Sequence, residues 1–491
     1  MGQIWYNNKM RIVIVGAGRT GTQLARYLVR EKHDVSLIES NEERARHASN
    51  RIDCLVLHDE GNSLTALEEA GISKADALVC VTDSDEVNMI ICGLAASRYP
   101  EMLKIARVRN DDYVKLNQHT GSFSAFEDTK VLGIDNFIHP DVEAARAVLR
   151  AISHGALGNI LELAGTEYEL GLIDVAEGSV FDGLCINYYR SIVKEDSLLT
   201  LIERESGSSR EWILPGGSTV LAKGDRIYIL ARETEMKNIF HLAGRVEKPL
   251  RRIGIVGGGR VGTIIAEGLL DRTSENKKKT AVFSFFRSFV PKSSRRIIIV
   301  EQNYEVCKDL AARFPEALIL NEDISDESFV AEERLGELDL IITATANQEL
   351  NIITAIYLKS RGVRRAIALV SGSGYEAIAR HLGSDVVIPM ESVVVDSILS
   401  NLMGKGIRGL HRLGDGTLEI LQAEIRDDSP IANMPITEFK LSEGGLIMLV
   451  HRGEDSFIPR GDYVFIPEDR VIFIAKSSNE AELDKHFGIE K

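Results

Sequence analysis

At 491 residues, with 44% hydrophobic and 27% charged content, the chain has a globular composition and enough length for three or four domains. Fifty-eight basic residues against 73 acidic ones leave a net charge of −15, which excludes a basic nucleic-acid surface, because neutralising phosphates takes lysine and arginine. No apolar run approaches the roughly 18 residues that cross a bilayer, so no transmembrane segment of its own is expected.

The first residues, MGQIWYNNKM, hold one lysine and no apolar stretch of signal-peptide length, which predicts a cytoplasmic location. The first predicted element group is RIVIVGAGRTGTQLARYLVREKHDVSLIES, Arg11 to Ser40: a strand, a glycine-rich turn, a helix and a second strand ending in an acid. Strands DCLVLH, DALVCVT and KIARV follow, separated by helical stretches, the pattern of βαβ units on a parallel sheet covered on both faces. HPDVEAARAVLRAI, from His139, reads as an amphipathic helix. Beyond it, YELGLIDV, LLTLIER and RIYILA, punctuated by Gly, Pro and Asp, read as a small strand-rich lobe.

From Arg251 the order repeats. RRIGIVGGGRVGTIIAEGLLDR restores the glycines as Gly257, Gly259 and Gly262, and LDLIITATANQELN matches ADALVCVTDSDEVN with Asn351 opposite Asn88. PMESVVVDSILSNL, from Pro389, is a second amphipathic stretch. DSFIPRGDYVFIPEDRVIFIA then matches EWILPGGSTVLAKGDRIYILA, pairing Pro459 with Pro215 and Asp469 with Asp225. The fold class is therefore α/β: two Rossmann-like parallel-sheet domains, each followed by a small strand-rich α+β lobe. The expected spans are 10–135, 150–237, 250–378 and 405–488.

The chemistry lies in the loop Gly16, Ala17, Gly18, Arg19, Thr20 and Gly21. Its glycines permit a tight turn and close approach of backbone to a pyrophosphate, whose charge suits a helix N-terminus. Glu39 stands 18 residues beyond Gly21, where a carboxylate accepts hydrogen bonds from ribose hydroxyls and repels a 2′-phosphate, so NAD or an adenine nucleotide fits and NADP does not. The competing reading is that the glycines serve packing alone, and Arg19 is open between phosphate pairing and solvation. No GxxxxGK[ST] loop occurs, so P-loop hydrolysis of ATP is not expected. The five cysteines, Cys54, Cys80, Cys92, Cys185 and Cys307, sit mostly in apolar runs and read as buried thiols rather than disulfides or a metal site. The histidines, His139, His154, His381, His411 and His451 among them, show no repeated spacing to an acid, and no Ser, Cys or metal-ligand cluster supplies a catalytic group.

The order GAGRTG, DEG at Asp59 to Gly61, VTDSDEVN and IARVR, then a strand-rich lobe and the whole set again, resembles the TrkA family of Trk potassium-uptake regulatory proteins, built from tandem pairs of RCK (KTN) domains. The resemblance runs from about Met10 to the end. It implies a peripheral subunit on the inner face of the cell membrane, assembled as a homo-oligomer, a dimer or a tetramer ring. Its implied partner is an integral membrane Trk-type potassium transporter, controlled through NAD(H), with ATP or ADP as alternative ligands.

Carried onto this sequence, the resemblance puts phosphates at Gly16 to Gly21, the ribose at Glu39, a third-strand loop at Asp59 and Glu60, Thr82 and Asp83 under the nucleotide, and Arg107 within reach of phosphates or a neighbouring subunit. Plain alternatives stay open: Thr82 as a strand end, Asp83 as a helix cap, Asp59 and Glu60 as solvated acids, and Arg107 as a surface charge.

The second copy offers Gly257, Gly258, Gly259, Arg260, Val261, Gly262, Glu301, Asp323 and Thr345. It departs where Asp83 and Asp85 become Ala346 and Gln348, and where Ile324 replaces Gly61, a residue able to adopt positive φ. That pocket is open to a different nucleotide, weak binding or a structural role. Gly262 to Glu301 spans 39 positions against 18 in the first copy, so 21 extra residues fall within the basic and aromatic insertion at about 273–294. Contact with an anionic membrane or the transporter, or a plain flexible loop, are its two readings. The functional alternatives are a free-standing nucleotide or small-ligand sensor and an NAD-dependent oxidoreductase with a degenerate second half.

Overall fold

The computed structural model describes residues 9–110, 112–113, 131–153, 160–163, 166–206, 209–243, 250–270, 296–402, 408–413, 418–441, 444–453, 455–476, 482–483 and 486–487. The insertion at 273–294 and His154 lie outside the described residues. The chain folds as two compact units, one from Lys9–Gly158 with Pro249–Leu402, the other mainly from Asn159–Lys248 with Met403–Lys491.

In the first unit, strands β1 (Arg11–Val15), β2 (Asp34–Glu39), β3 (Leu55–His58), β4 (Ala77–Cys80), β5 (Leu103–Arg107) and β6 (Asn136–Ile138) form one parallel sheet in the order β3-β2-β1-β4-β5-β6. Ile12, Val13, Ile14 and Val15 are all buried, as expected of a central parallel strand covered on both faces. Helix α1 (Arg19–Arg30) buries Leu24, Ala25 and Leu28, α2 (Glu42–Ser49) and α3 (Leu64–Glu69) follow β2 and β3, and α4 (Asp85–Arg98) buries Ile91, Cys92 and Ala95. The second copy repeats the sheet with Leu318–Asn321, Arg296–Glu301, Arg252–Val256, Leu340–Thr343, Arg365–Val370 and Val386–Pro389 in that spatial order. In both sheets the strand order reverses beside the first strand, which opens a crevice at the carboxyl ends of the first and fourth strands.

Each sheet ends in a crossover helix, Pro140–Ser153 in the first half and Met390–Leu402 in the second. The first one buries Ala144, Ala145, Val148 and Leu149 in the same core as Ile265, Ala266 and Leu269 of the second half's helix Arg260–Leu270. The approach is close: a Cβ on Gly268 would stand 2.4 Å from Leu149 Cδ1. The two nucleotide-type domains are thus joined through their crossover helices.

The second unit holds two antiparallel five-stranded sheets of the same topology. Ser209–Ile213, Ser197–Ser206, Arg226–Arg232, Tyr168–Asp174 and Ile160–Glu162 lie side by side in one, and Asp455–Phe457, Gly445–Arg452, Arg470–Lys476, Leu418–Glu424 and Arg408–Leu413 in the other. The aligned aspartates are structural: Asp225 and Asp469 are each buried and each bound by two nitrogens of one arginine, Arg204 and Arg452, at 2.6 to 2.7 Å. Leu170, Leu201 and Leu230 share a core with Ile420, Leu449 and Ile472, so the lobes pack as a pair.

Candidate nucleotide sites

The chain leaves β1 through Gly16, whose φ of +105° is the conformation a side chain disfavours, and Gly16 N donates to Ile38 O at 2.8 Å. Gly21 is required for a different reason: a Cβ there would fall 1.9 Å from Gly16 O, so α1 lies directly on the turn. Gly18 has open space around it, nothing being within 4 Å of an added Cβ. No side chain caps α1, so its first amides and its dipole face that space and are offered to an anion. Gly257 (φ +103°), Gly262 (Cβ 2.0 Å from Gly257 O) and Gly259 (open) reproduce each feature. Thr20 is buried, and Val261, half-buried, packs against the core that holds Ile265 and Ala266.

Glu39 ends β2 almost wholly buried. Its Oε2 accepts from Ala17 N at 2.6 Å and its Oε1 from Asn41 N at 2.9 Å. Glu301 does the same with Gly258 N and Asn303 N, both at 2.8 Å. Each acid therefore fixes the glycine loop to the next strand, and a carboxylate with about four lone-pair sites has two beyond those the amides use. The loop after β3 carries Asp59 and Glu60, both exposed, with Glu60 N donating to Asp59 Oδ1 at 2.6 Å. Asp323, also exposed, accepts from Ser325 N at 2.9 Å.

Gly61 is not among the positive-φ glycines. Space is what demands it: a Cβ would come within 2.2 Å of Val15 Cγ1. At the matching position Ile324 is buried in the second half's core.

Thr82 follows β4, and its surroundings turn on Asn88, which is fully buried. Asn88 Oδ1 accepts from Thr82 N at 2.9 Å and Thr82 Oγ1 at 2.7 Å, while Asn88 Nδ2 donates to Thr82 O at 3.1 Å and Arg107 O at 2.8 Å. Asn351 clamps Thr345 with the same 2.9 and 2.7 Å bonds and reaches Leu369 O at 3.0 Å. Sequence alignment placed the two asparagines opposite one another without giving them a role. Their equal spacing after the strand was the available signal.

Asp83 is not the helix cap. Ser84 caps α4, its Oγ accepting from Val87 N at 3.2 Å, and Asp83 instead meets Arg107 Nη2 at 2.9 Å. Nor is Arg107 a surface charge: it is 8% exposed, and Nη2 also donates to Thr82 O at 2.6 Å while Nε is buried without a hydrogen-bond partner. The hydrogen bond from Arg107 holds the Asp83 carboxyl below its ordinary range, and burial pushes the Arg107 guanidinium down. In the second copy Ala346 stands for Asp83 and, from the strand register, Leu369 stands for Arg107, so both members of the pair are replaced. Gln348 keeps the acceptor role of Asp85, taking Ser371 N at 3.1 Å where Asp85 takes Arg109 N at 2.8 Å.

The loop arginines reach across to the opposite half. Arg19 Nε lies 3.1 Å from Glu391 Oε1, and Arg260 Nε lies 3.8 Å from Asp141 Oδ2. Among the described residues no group of three or more His, Cys, Asp or Glu is placed to hold a metal. Cys80, Cys92 and Cys307 are buried, Cys54 and Cys185 half-buried, and all five are free thiols.

Two Rossmann-order sheets, each with a glycine loop backed by a carboxylate, and two small antiparallel lobes define a protein of the tandem RCK fold class. Its sequence matches the TrkA-N domain over residues 12–126 and 288–389 and the TrkA-C domain over 420–488. The chain belongs to the TrkA family. It is 27% identical over 453 residues to the Trk system potassium uptake protein TrkA of Halomonas elongata, covering 91% of this chain and 92% of that one. It is also 27% identical over 481 residues to the TrkA of Azorhizobium caulinodans, covering 98% and 99%. Among solved structures, the GsuK channel bound to NAD matches at a TM-score of 0.54 and 19% identity, covering 98% of this chain and 79% of that one. The GsuK RCK domain matches at 0.54 and 17%, covering 99% and 98%. These two likenesses speak to the fold.

Proposed function

We propose that this chain is the nucleotide-responsive regulatory subunit of a Trk-type potassium uptake system. It binds NAD(H) at its glycine loops, with ATP and ADP as alternative ligands, and as a homo-oligomer it acts on an integral membrane potassium transporter from the cytoplasmic side. The observation that carries the reading is the paired construction at Glu39 and Glu301, each accepting one amide of a glycine loop and one amide two residues past its own strand end, and retaining lone pairs for a ribose. Membership of the TrkA family supports the potassium side. The GsuK channel, a neighbour of like fold that binds NAD, supports the ligand.

The chain senses its nucleotide without turning it over. Hydride transfer needs a proton donor or acceptor above the nicotinamide. His58, the last residue of β3, has its Nε2 3.0 Å from Ser40 O, and His139, one residue past β6, is buried and accepts from Val142 N at the start of the crossover helix. A ligand that prefers one arrangement of the two halves by about a hundredfold supplies about 2.7 kcal/mol per site toward that arrangement. Several sites in a ring add their contributions.

Isothermal titration of the full chain with NADH, NAD, ATP and ADP tests binding. Potassium flux in vesicles carrying the transporter, with and without the chain, tests regulation. Saturable binding without turnover and a ligand-dependent flux are expected. Steady NADH oxidation with a simple carbonyl substrate, or no nucleotide binding at all, overturns the reading.

A further inference from the structure

Arg19 is the first residue of α1 and Arg260 the first of the second half's corresponding helix, each directly following a glycine, Gly18 or Gly259, with open space around it. Each is held by the second residue of the other half's crossover helix: Glu391 for Arg19 and Asp141 for Arg260. Gln23 Nε2 donates to Ser392 Oγ at 3.1 Å beside the first of these pairs. The arrangement is reciprocal, all four residues lie in one compact unit, and the acids are the sheltered partners, with side-chain exposures of 18% and 20% against 73% and 48% for the arginines. Burial pushes the Glu391 carboxyl up and the charge of Arg19 draws it back. An exposed cation on a sheltered acid is the geometry of a contact that changes partner at the cation.

We propose that the two pairs are exchange latches: a phosphate-bearing ligand at either loop takes the loop arginine from the acid on the other half's crossover helix, and so couples the two sites of one chain. The proposal rests on the nucleotide reading above. Glu391 stripped of Arg19 is a sheltered carboxylate facing a newly bound anion, and the repulsion acts on the helix that follows the last strand of the second sheet. Asp141 is in the same position when the second loop fills.

The test uses the full chain with the second loop closed by Gly259→Asp, titrated with ADP and with adenosine. Removing the competing carboxylate by Glu391→Gln is expected to raise ADP affinity about two- to fivefold, the range of a partly exposed ion pair. Adenosine binding stays unchanged, and the effect disappears when Arg19→Gln is added. In the ligand-free protein, the shifts in unfolding temperature of Glu391→Gln and Arg19→Gln are expected to be non-additive in the double variant. ADP affinity unchanged or lowered by Glu391→Gln, or additive temperature shifts while ADP still binds, overturns the latch alone. Failure of the unmodified chain to bind ADP overturns the nucleotide reading and the exchange with it.

Discussion

Aspartate in place of Gly18 separates the two things a glycine loop does. Gly18 has φ −64° and ψ −174°, extended backbone that any residue adopts, and a Cβ there meets nothing within 4 Å. It is the N-cap of α1, a position aspartate favours, and a carboxylate at a helix N-terminus gains about 0.3–1 kcal/mol from the dipole. Gly18→Asp is therefore expected to unfold at or above the temperature of the unmodified chain. The same carboxylate fills the space and engages the amides that a pyrophosphate needs. Losing charge-assisted hydrogen bonds worth about 1.5–3 kcal/mol weakens ADP or NAD binding at this loop by about tenfold to 150-fold. Gly21→Ala gives the contrast. Its Cβ would lie 1.9 Å from Gly16 O, a backbone atom, so that variant is expected to lose stability by at least the roughly 1–3 kcal/mol of an overpacked site, ligand or none. Isothermal titration beside thermal unfolding reads both quantities. A folded Gly18→Asp chain that binds ADP within about twofold of the unmodified one would refute the phosphate assignment and leave the glycines to packing.

Glu39→Gln leaves one of two backbone donors without its carboxylate acceptor, at a cost of about 1–3 kcal/mol, and removes the charge that repels a 2′-phosphate. Titration is expected to show weaker NAD binding and a smaller preference for NAD over NADP. Asn88→Ala breaks four hydrogen bonds of a fully buried side chain, and a loss of about 2–3 kcal/mol in denaturant unfolding is expected, with a comparable loss for Asn351→Ala. Because Arg107 holds Asp83 below its ordinary value of 3.8, the stability that Asp83 adds is fully present above that pH and fades as the pH falls through the lower folded value. The gap in unfolding temperature between the unmodified chain and Asp83→Asn is expected to close on acidification, and a gap that widens contradicts the ion pair.

The strands, the two glycine loops and the acids at Glu39 and Glu301 were legible because they rest on local chemistry: β-branched runs, a positive-φ turn and a fixed spacing along one βαβ unit. What was not legible is set by partners distant in sequence. For Arg107 the sequence leaves a surface charge open beside a place near the nucleotide, because arginine is rarely buried, and it is buried here because Asp83 and Thr82 O, from another strand end, receive it. Gly61 reads as a position for positive φ because its true constraint, Val15, belongs to a different strand. Arg19 and Glu391 are 372 positions apart, and nothing in either segment announces the other. The alternative of Asp83 as the helix cap fails by one residue, since adjacent Asp83 and Ser84 both suit the position and Ser84 takes it.

The second site differs from the first in a way that carries its own energetic logic. Loop, acid and asparagine clamp are retained, while Asp83 and Arg107 are exchanged together for Ala346 and Leu369. Removing one member of a buried pair leaves an uncompensated charge and is costly, whereas replacing both with apolar residues is often near neutral. Arg107 is the buried member, so Asp83→Ala is expected to lower the unfolding temperature. Adding Arg107→Leu, which recreates the second copy's pair in the first, is expected to restore much of it. The same double variant changes the carboxyl ends of β4 and β5 from charged to apolar while leaving Gly18 and Glu39 untouched. Titration with ADP and NAD then reads whether this pair sets the difference between the two crevices. A double variant less stable than Asp83→Ala alone would show that Arg107 is held by Thr82 O and its packing, and that the joint replacement in the second copy has another cause.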